Sequence, residues 1–276
     1  GATIQNQGAT TISGAITGNG SIINEASATL TLAGKNSGSG EVRNSGTLNL
    51  SGDNSSKTGN FTQEAGTTNV TGKFFGGGVS TVKDGNLNWH TENDISAVTK
   101  LVIEDGAVLD IGKDASQSAV LSLNTGSSIA GGAAVTLNQN SKLNITGGTL
   151  NLTDNDTMNG SIKMTKGSLI INNGSVAGAL IAEGGTFDLQ SGTFILNSSS
   201  SIANPVTAKI GSGAVLDIDG SSVNLNSTDD WKGTVNLKNN GSLNVNNLSS
   251  NGLLIAEGGT LNLTSGNLTI GSGSSI

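Results

Sequence analysis

The residues best suited to do chemistry lie in one short stretch of the sequence, Trp89-His90-Thr91-Glu92-Asn93-Asp94. His90 is the single histidine of the chain, and with Glu92 and Asp94 it could form a metal site or an acid–base cluster. On an alternating strand these three side chains would share one face, and Trp89 would take the other. A usual zinc site needs more histidine or cysteine ligands than this chain has. We therefore predict an outward polar strand or loop that follows an inward Trp89.

Two acidic turns, Asp154-Asn155-Asp156 and Asp229-Asp230, could offer oxygen ligands to calcium. Calcium takes about six to eight oxygens from a shaped loop. The glycine-rich nonapeptide of calcium-binding β-rolls is not in the sequence. We interpret both stretches as solvated turns. Met158 and Trp231 follow them at matching places, and we expect these two side chains to fill a corner of the core.

Polysaccharide-cleaving β-helix enzymes are the main catalytic alternative. They need paired carboxylates at a cleft, but the acids here are scattered and Arg43 is the single arginine. Sugar subsites also need aromatic platforms, whereas Phe187 and Phe194 occupy core-type positions. No phosphate-binding loop or Gly-x-Ser-x-Gly elbow is present. We therefore predict that the protein is not an enzyme and has no catalytic residue, cofactor site or metal site.

The composition indicates that the elements holding these side chains are β-strands. Gly, Ser, Thr and Asn make up about half of the 276 residues, and they are poor formers of helix interiors. Only 12% of the residues are charged, which is too few for a charge-driven disordered chain. The chain has no cysteine, which excludes disulfides and thiolate chemistry.

A short sequence pattern repeats along the chain: a small residue, then two apolar residues that flank one polar residue. Gly46-Thr-Leu-Asn-Leu50 and Gly148-Thr-Leu-Asn-Leu152 show it. The alternation indicates short strands with one face inward, and a spacing of about 18–21 residues is typical of coils of a parallel β-solenoid. We expect outward Thr, Asn and Ser to form hydrogen-bonded ladders between coils. The predicted inward residues include Leu48, Leu50, Leu143, Ile145, Leu216, Ile218, Leu243 and Val245.

A longer repeat is present in the second half of the chain. Leu180-Ile-Ala-Glu-Gly-Gly-Thr-Phe-Asp-Leu189 recurs as Leu254-Ile-Ala-Glu-Gly-Gly-Thr-Leu-Asn-Leu263, an offset of 74 residues. We predict a single β-solenoid domain over residues 1–276, with repeat units at about 127–200 and 201–274. Each unit would then contain four coils.

Part of this pattern has a familiar form. Leu48-x-Leu50-x-Gly52-x-Asn54 is followed by Gly59 and by Gly66-x-x-x-Val70-x-Gly72, and Leu30-x-Leu32-x-Gly34-x-Asn36 repeats the opening. Residues 28–75 thereby resemble the autotransporter-associated β-strand repeat. The resemblance implies a right-handed parallel β-helix in the passenger domain of a bacterial autotransporter or a related surface adhesin. We expect the chain to be a fragment of such a longer passenger.

Charge and hydropathy narrow the expected partners. The net charge is −7 and no Lys/Arg cluster exists, which argues against nucleic acid as a partner. No apolar run reaches the roughly 18 residues of a membrane span, so we expect no membrane insertion of this segment.

The expected function is that of an extracellular structural and adhesive rod at a bacterial cell surface. It would self-associate or bind host or cell-surface ligands. A passive spacer stalk that presents another domain is the alternative. A less favoured hypothesis is an ice- or crystal-surface binder, which would need regular Thr-x-Thr ranks where the sequence offers Thr29-x-Thr31.

Overall fold

The computed structural model describes residues 1–96, 98–114 and 116–276, and the regular structure of these residues is entirely β-strand. The strands pair in parallel with strands of the next coil, which confirms an all-β solenoid fold with about 13 turns among the described residues. The chain divides into two compact units, Gly1–Leu143 and Asn144–Ile276. The single domain over 1–276 stays a prediction.

The first unit contains seventeen strands among its described residues, most of them three or four residues long. Their bounds are β1 Ile4–Asn6, β2 Ala9–Ile12, β3 Ile22–Asn24, β4 Thr29–Leu32, β5 Ser37–Gly38, β6 Val42–Asn44, β7 Thr47–Leu50, β8 Ser56–Lys57, β9 Phe61–Gln63, β10 Thr67–Val70, β11 Val79–Val82, β12 Asn86–Trp89, β13 Lys100–Ile103, β14 Val108–Ile111, β15 Val120–Leu123, β16 Ser128–Ile129 and β17 Ala134–Leu137. Strand β18, Lys142–Leu152, contains the boundary between the units.

Two parallel sheets form the walls of the first unit. Sheet 1 stacks β1, β3, β6, β9, β11, β13 and β16. Sheet 2 stacks β2, β4, β7, β10, β12, β14 and β17. The third side carries the short pair β5–β8.

The register of sheet 2 gives the coil length directly. It stacks one buried residue of each coil on the next, in the order Leu32, Leu50, Val70, Trp89, Ile111 and Leu137. The first three separations are 18, 20 and 19 residues, as predicted. The last two are longer, 22 and 26 residues, and the 26-residue coil contains three strands (β15, β16 and β17) where the 22-residue coil contains two (β13 and β14).

The second unit has three walls. Its remaining strands are β19 Thr157–Met158, β20 Ser161–Asn172, β21 Leu180–Ala182, β22 Thr186–Ser191, β23 Thr193–Leu196, β24 Ser201–Ile202, β25 Thr207–Ile210, β26 Val215–Asp219, β27 Ser222–Asn226, β28 Asp230–Trp231, β29 Thr234–Lys238, β30 Ser242–Ser249, β31 Leu253–Ala256 and β32 Thr260–Thr269. Sheet 3 contains β21, β24 and β27 with the first parts of β20, β30 and β32. Sheet 4 contains the second part of β20 with β22, β25 and β28, and sheet 5 contains β23, β26, β29 and β31.

The two copies of the 74-residue repeat occupy different walls of the second unit. Residues 180–189 lie in sheets 3 and 4, whereas residues 254–263 lie in sheets 5 and 3. The offset is therefore one strand short of four coils, and the expectation of four whole coils per unit is wrong. Each wall needs the same apolar–polar alternation, so one sequence fits more than one wall.

Aliphatic side chains fill the interior of both units. All eight predicted inward residues are 0% exposed, which confirms the assignment of faces. Phe187 and Phe194 are also buried, with ring centroids 5.6 Å apart. In the first unit Phe74 packs edge-on against Trp89 at 5.2 Å. Because no coil can bury its apolar face alone, these contacts between coils provide the main stabilisation.

A ladder of buried asparagines lines the corner between sheets 1 and 2. Asn6 donates from Nδ2 to Asn24 Oδ1, and Asn24 donates to Asn44 Oδ1, at 2.8 Å each. The Asn24 amide also donates to the backbone carbonyl of Thr47 at 2.9 Å. These side chains satisfy carbonyl groups that a buried corner would otherwise leave unpaired.

Candidate functional site

The stretch around His90 is the end of a strand followed by a loop. Strand β12 ends at Trp89, which is fully buried and donates from Nε1 to the carbonyl of Val120 at 2.8 Å. Because Glu92 and Asp94 follow in a loop, the expectation of a shared strand face is wrong, and the alternative of a polar loop after an inward Trp89 is confirmed. The described residues include no group of three His, Cys, Asp or Glu side chains that could hold a metal ion.

The three side chains lie next to different residues of neighbouring strands and loops. His90 Nε2 lies 3.6 Å from Asp110 Oδ2. Glu92 accepts a hydrogen bond from Ser118 across the coil, and Asp94 accepts one from Ser122. Glu92 and Asp94 therefore connect neighbouring coils through hydrogen bonds, whereas His90 Nε2 has no hydrogen-bond partner among the described residues.

The two acidic turns have the same internal geometry. The Thr153 N–H donates to Asp156 Oδ2 at 2.7 Å, and the Asn226 N–H donates to Asp229 Oδ2 at 2.7 Å. Asp229 also accepts from the Ala208 N–H at 2.7 Å and is 8% exposed. Burial raises the pKa of the Asp229 carboxyl, so describing this residue as solvated is wrong.

The residues after these turns lie where they were expected. Met158 and Trp231 are each 2% exposed, which confirms that both fill the core. Trp231 Nε1 donates to the carbonyl of Gly233 at 3.0 Å. No exposed aromatic platform results at either turn.

Charged side chains stack across coils on the outside of the first unit. Glu64 lies 2.9 Å from the Arg43 guanidinium and 3.0 Å from the Lys83 amine. These two cations hold the pKa of the Glu64 carboxyl below its usual range. Both cations are exposed and Glu64 is half-buried, so the ladder adds little stability.

The outer side of sheet 2 carries the most regular surface of the first unit, which we name the polar face. It consists of two parallel files on β4, β7, β10 and β12. The first file is Thr29, Thr47, Thr67 and Asn86, and the second is Thr31, Asn49, Asn69 and Asn88.

Hydrogen bonds run along the second file from coil to coil. Asn49 Nδ2 donates to Thr31 Oγ1 at 3.2 Å and Asn69 Nδ2 donates to Asn49 Oδ1 at 2.9 Å. Asn88 Nδ2 continues the row to Asn69 Oδ1 at 2.8 Å. Each amide has a second N–H, so the file offers a repeating donor at the strand spacing of about 4.8 Å. The ladder holds these side chains in place before any partner arrives.

The polar face becomes charged at one end. Asp110 stands in register with Asn88 and accepts from Asn138 Nδ2 at 2.9 Å. Between Thr29 and Asn88 the two files contain no charged and no apolar side chain. The sequence predicted such ladders in general terms, and the register of the sheet identifies which outward residues form them.

The outer surface of sheet 5 in the second unit is less uniform. Ile195, Asp217 and Asn236 follow one another in register, and Asn236 Nδ2 donates to Asp217 Oδ1 at 2.7 Å. Lys238 Nζ also contacts Asp217, at 2.7 Å, and this carboxylate raises the pKa of the lysine. Aliphatic, acidic and basic groups therefore alternate there.

Comparisons with known proteins add no assignment to these surfaces. Among the described residues no helix has the length and apolar character needed to cross a membrane. No protein-family model matches the chain, and no curated protein or solved structure matches it either.

Proposed function

We propose that the chain is an extracellular structural and adhesive segment of a bacterial surface protein, acting through its polar face. The observation that carries the proposal is the pair of files on sheet 2, with the amide ladder that fixes the second file. Neutral hydrogen-bond donors and acceptors repeat on this face at one spacing. The polar face of a second copy has the same spacing, so the two faces can pair. Each hydrogen bond would be weak, and affinity would come from many acting together.

The sequence supports the cellular setting of this proposal. Residues 28–75 resemble the autotransporter-associated repeat, which implies a right-handed β-helix of a passenger domain at the surface of a Gram-negative cell. A chain without cysteine also suits export in an unfolded state. Catalysis has no part in the proposal, since the acids are scattered along the sequence and Arg43 is the single arginine.

Sedimentation of the purified full chain tests whether the polar face associates. We expect reversible association that strengthens as salt rises from very low values, because copies of net charge −7 repel one another least when screened. The double variant Thr47→Gln and Thr67→Gln places two bulky neutral side chains on adjacent coils of the first file. It should weaken association by about tenfold or more, a change of about 1.4 kcal/mol.

A matched control makes the same two Thr→Gln substitutions on sheet 1 instead of sheet 2. Thr62 and Thr81 are register partners on adjacent coils of sheet 1, and both are half-buried like Thr47 and Thr67. Thr62→Gln with Thr81→Gln should associate like the unaltered chain. Equal weakening by both pairs would reject the polar face as the contact surface. A chain that stays monomeric under all salt conditions would favour the passive spacer.

A further inference from the structure

Five asparagines of the chain are followed directly by glycine, a pair in which the asparagine can react with its own backbone. The pairs begin at Asn19, Asn159, Asn173, Asn240 and Asn251. In this reaction the backbone nitrogen of the glycine attacks Cγ of the asparagine side chain. Glycine favours the attack because it has no Cβ and its backbone is conformationally permissive. The nitrogen must first lose its proton to solvent base, so a buried or hydrogen-bonded N–H protects the pair.

The fold protects four of the five pairs. The Gly241 N–H donates to a backbone carbonyl of its own turn at 2.9 Å, and the Gly252 N–H donates to Ser250 Oγ at 2.8 Å. These hydrogen bonds must open before either nitrogen can react. In the two pairs that begin at positions 159 and 173, the glycines Gly160 and Gly174 are buried. Solvent base therefore has poor access to their nitrogens in the folded chain.

The pair Asn19-Gly20 has neither kind of protection. Asn19 is exposed and Gly20 is half-buried, in the connection between β2 and β3. Among the described residues the Gly20 N–H has no hydrogen-bond partner. The Ser39 N–H, on the next coil, donates to Asn19 Oδ1 at 3.2 Å. This donor polarises the side-chain carbonyl and faces the oxygen that gains negative charge when Cγ is attacked.

We propose that Asn19 is a self-modification site, where a cyclic succinimide forms and opens to aspartate or isoaspartate. The Gly20 nitrogen, after losing its proton, bonds to Cγ of Asn19, and the bond from Cγ to Nδ2 breaks. The leaving nitrogen takes up a proton from water and departs as ammonia. Water then adds at one of the two ring carbonyls and breaks its bond to the ring nitrogen, with no change of oxidation state.

The modification changes the charge of an exposed site without any partner. A neutral amide becomes a carboxylate, which adds one negative charge to the net charge of −7. Opening of the ring at the backbone carbonyl also routes the main chain through the side chain, as isoaspartate. This proposal does not rest on the polar face.

Peptide mapping of the full chain by mass spectrometry tests the proposal. During incubation at mildly alkaline pH, deamidation at Asn19 should be at least about tenfold faster than at each of the other four pairs. In concentrated urea, where the glycine N–H groups are all exposed, the five rates should agree within about threefold. An equal or faster rate at another pair of the folded chain would overturn the proposal. A tenfold preference that persists in urea would do the same, because the fold would not be its cause.

Two variants assign the product to this site. Asn19→Gln makes ring closure slower, because a six-membered ring would have to form, and it should abolish the main acidic species on anion exchange. Asn240→Gln is the matched control and should accumulate that species like the unaltered chain. Gly20→Ala is unsuitable, because its Cβ would clash with the carbonyl oxygen of Ala2. Persistence of the acidic species in Asn19→Gln, or its loss in Asn240→Gln, would contradict the assignment to Asn19.

Discussion

At the scale of single residues, neighbours in one strand have very different environments. Leu150 is 0% exposed, whereas Asn151 beside it points outward and is half-buried. Leu150→Asp should lower the free energy of unfolding by several kcal/mol, about 3 or more, because it buries an unpaired carboxylate. Asn151→Asp should change it by less than about 1 kcal/mol. Urea unfolding of both variants measures the difference, and equal midpoints would show that the faces are assigned wrongly.

Lys57 is the least expected residue of the core. It is 1% exposed, and its Nζ has no hydrogen-bond partner among the described residues. Burial lowers the pKa of the Lys57 amine from its usual 10.5. It lies in strand β8, in register with Gly38 of β5.

Replacement of this lysine should stabilise the protein. Lys57→Met keeps the length and removes the unpaired amine, so it should raise the free energy of unfolding by about 1–3 kcal/mol at neutral pH. With the folded pKa lowered, the unfolded state binds more protons, so the stability of the unaltered chain should rise with pH up to about 10.5. The gain from Lys57→Met should shrink over the same range. Denaturant unfolding at several pH values checks this, and a gain independent of pH would refute the burial of the charge.

The types and spacing of single residues predicted the burial of some side chains but not of others. The burial of Trp89 was predicted from the alternation of apolar and polar residues. The burial of Asp229 was missed, because a carboxylate in an Asp-Asp turn is normally solvated. Its hydrogen-bond donor, the Ala208 N–H, lies 21 residues away in the sequence, and the stacking of coils brings the two residues together.

At the scale of elements, the buried asparagine ladder should matter more than the ladder of the polar face. Asn24 links Asn44 to the carbonyl of Thr47 at the start of β7, so Asn24→Leu leaves buried polar groups unpaired. We expect a loss of about 2–4 kcal/mol in the free energy of unfolding. Asn49→Leu changes a half-exposed ladder and should cost less than about 1 kcal/mol. Thermal or urea unfolding compares the two, and an equal loss would contradict the distinct roles of the ladders.

The strands themselves were predictable, but their arrangement around the coil was only partly so. Apolar–polar alternation such as Thr47-Leu-Asn-Leu50 predicts a strand and its inward face without further information. The corner asparagines were missed because Asn is also common in exposed turns. Residues 254–263 lie one wall away from the position of residues 180–189. This displacement depends on the lengths of the intervening coils, which the sequence pattern does not predict.

At the scale of the whole molecule, we expect no hydrolase or lyase activity on polysaccharides, with or without calcium. The reason is that the acids are scattered along the sequence, and acids such as Glu64 and Asp217 form contacts with lysine, arginine or asparagine on neighbouring coils. Incubation with a panel of charged and neutral polysaccharides, followed by assay of reducing ends, checks this. Sustained product release that a single carboxylate substitution abolishes would refute it.

The resemblance of residues 28–75 to an autotransporter repeat predicted the solenoid architecture, but it did not identify the surface that makes contacts. That surface depends on register, because Thr47, Thr67 and Asn86 are far apart in sequence and adjacent in sheet 2. The proposed role in adhesion rests on the polar face, and the proposed bacterial setting rests on the sequence motif.

Disulfide trapping tests the central claim most directly, because the chain has no cysteine of its own. Thr67→Cys places one thiol in the middle of the first file of the polar face, and Thr81→Cys places one on the outer side of sheet 1. Under mild oxidation the Thr67→Cys chain should form covalent dimers faster than the Thr81→Cys chain, and low salt should slow this. Equal rates for the two variants, or faster dimerisation through Thr81→Cys, would contradict association through the polar face.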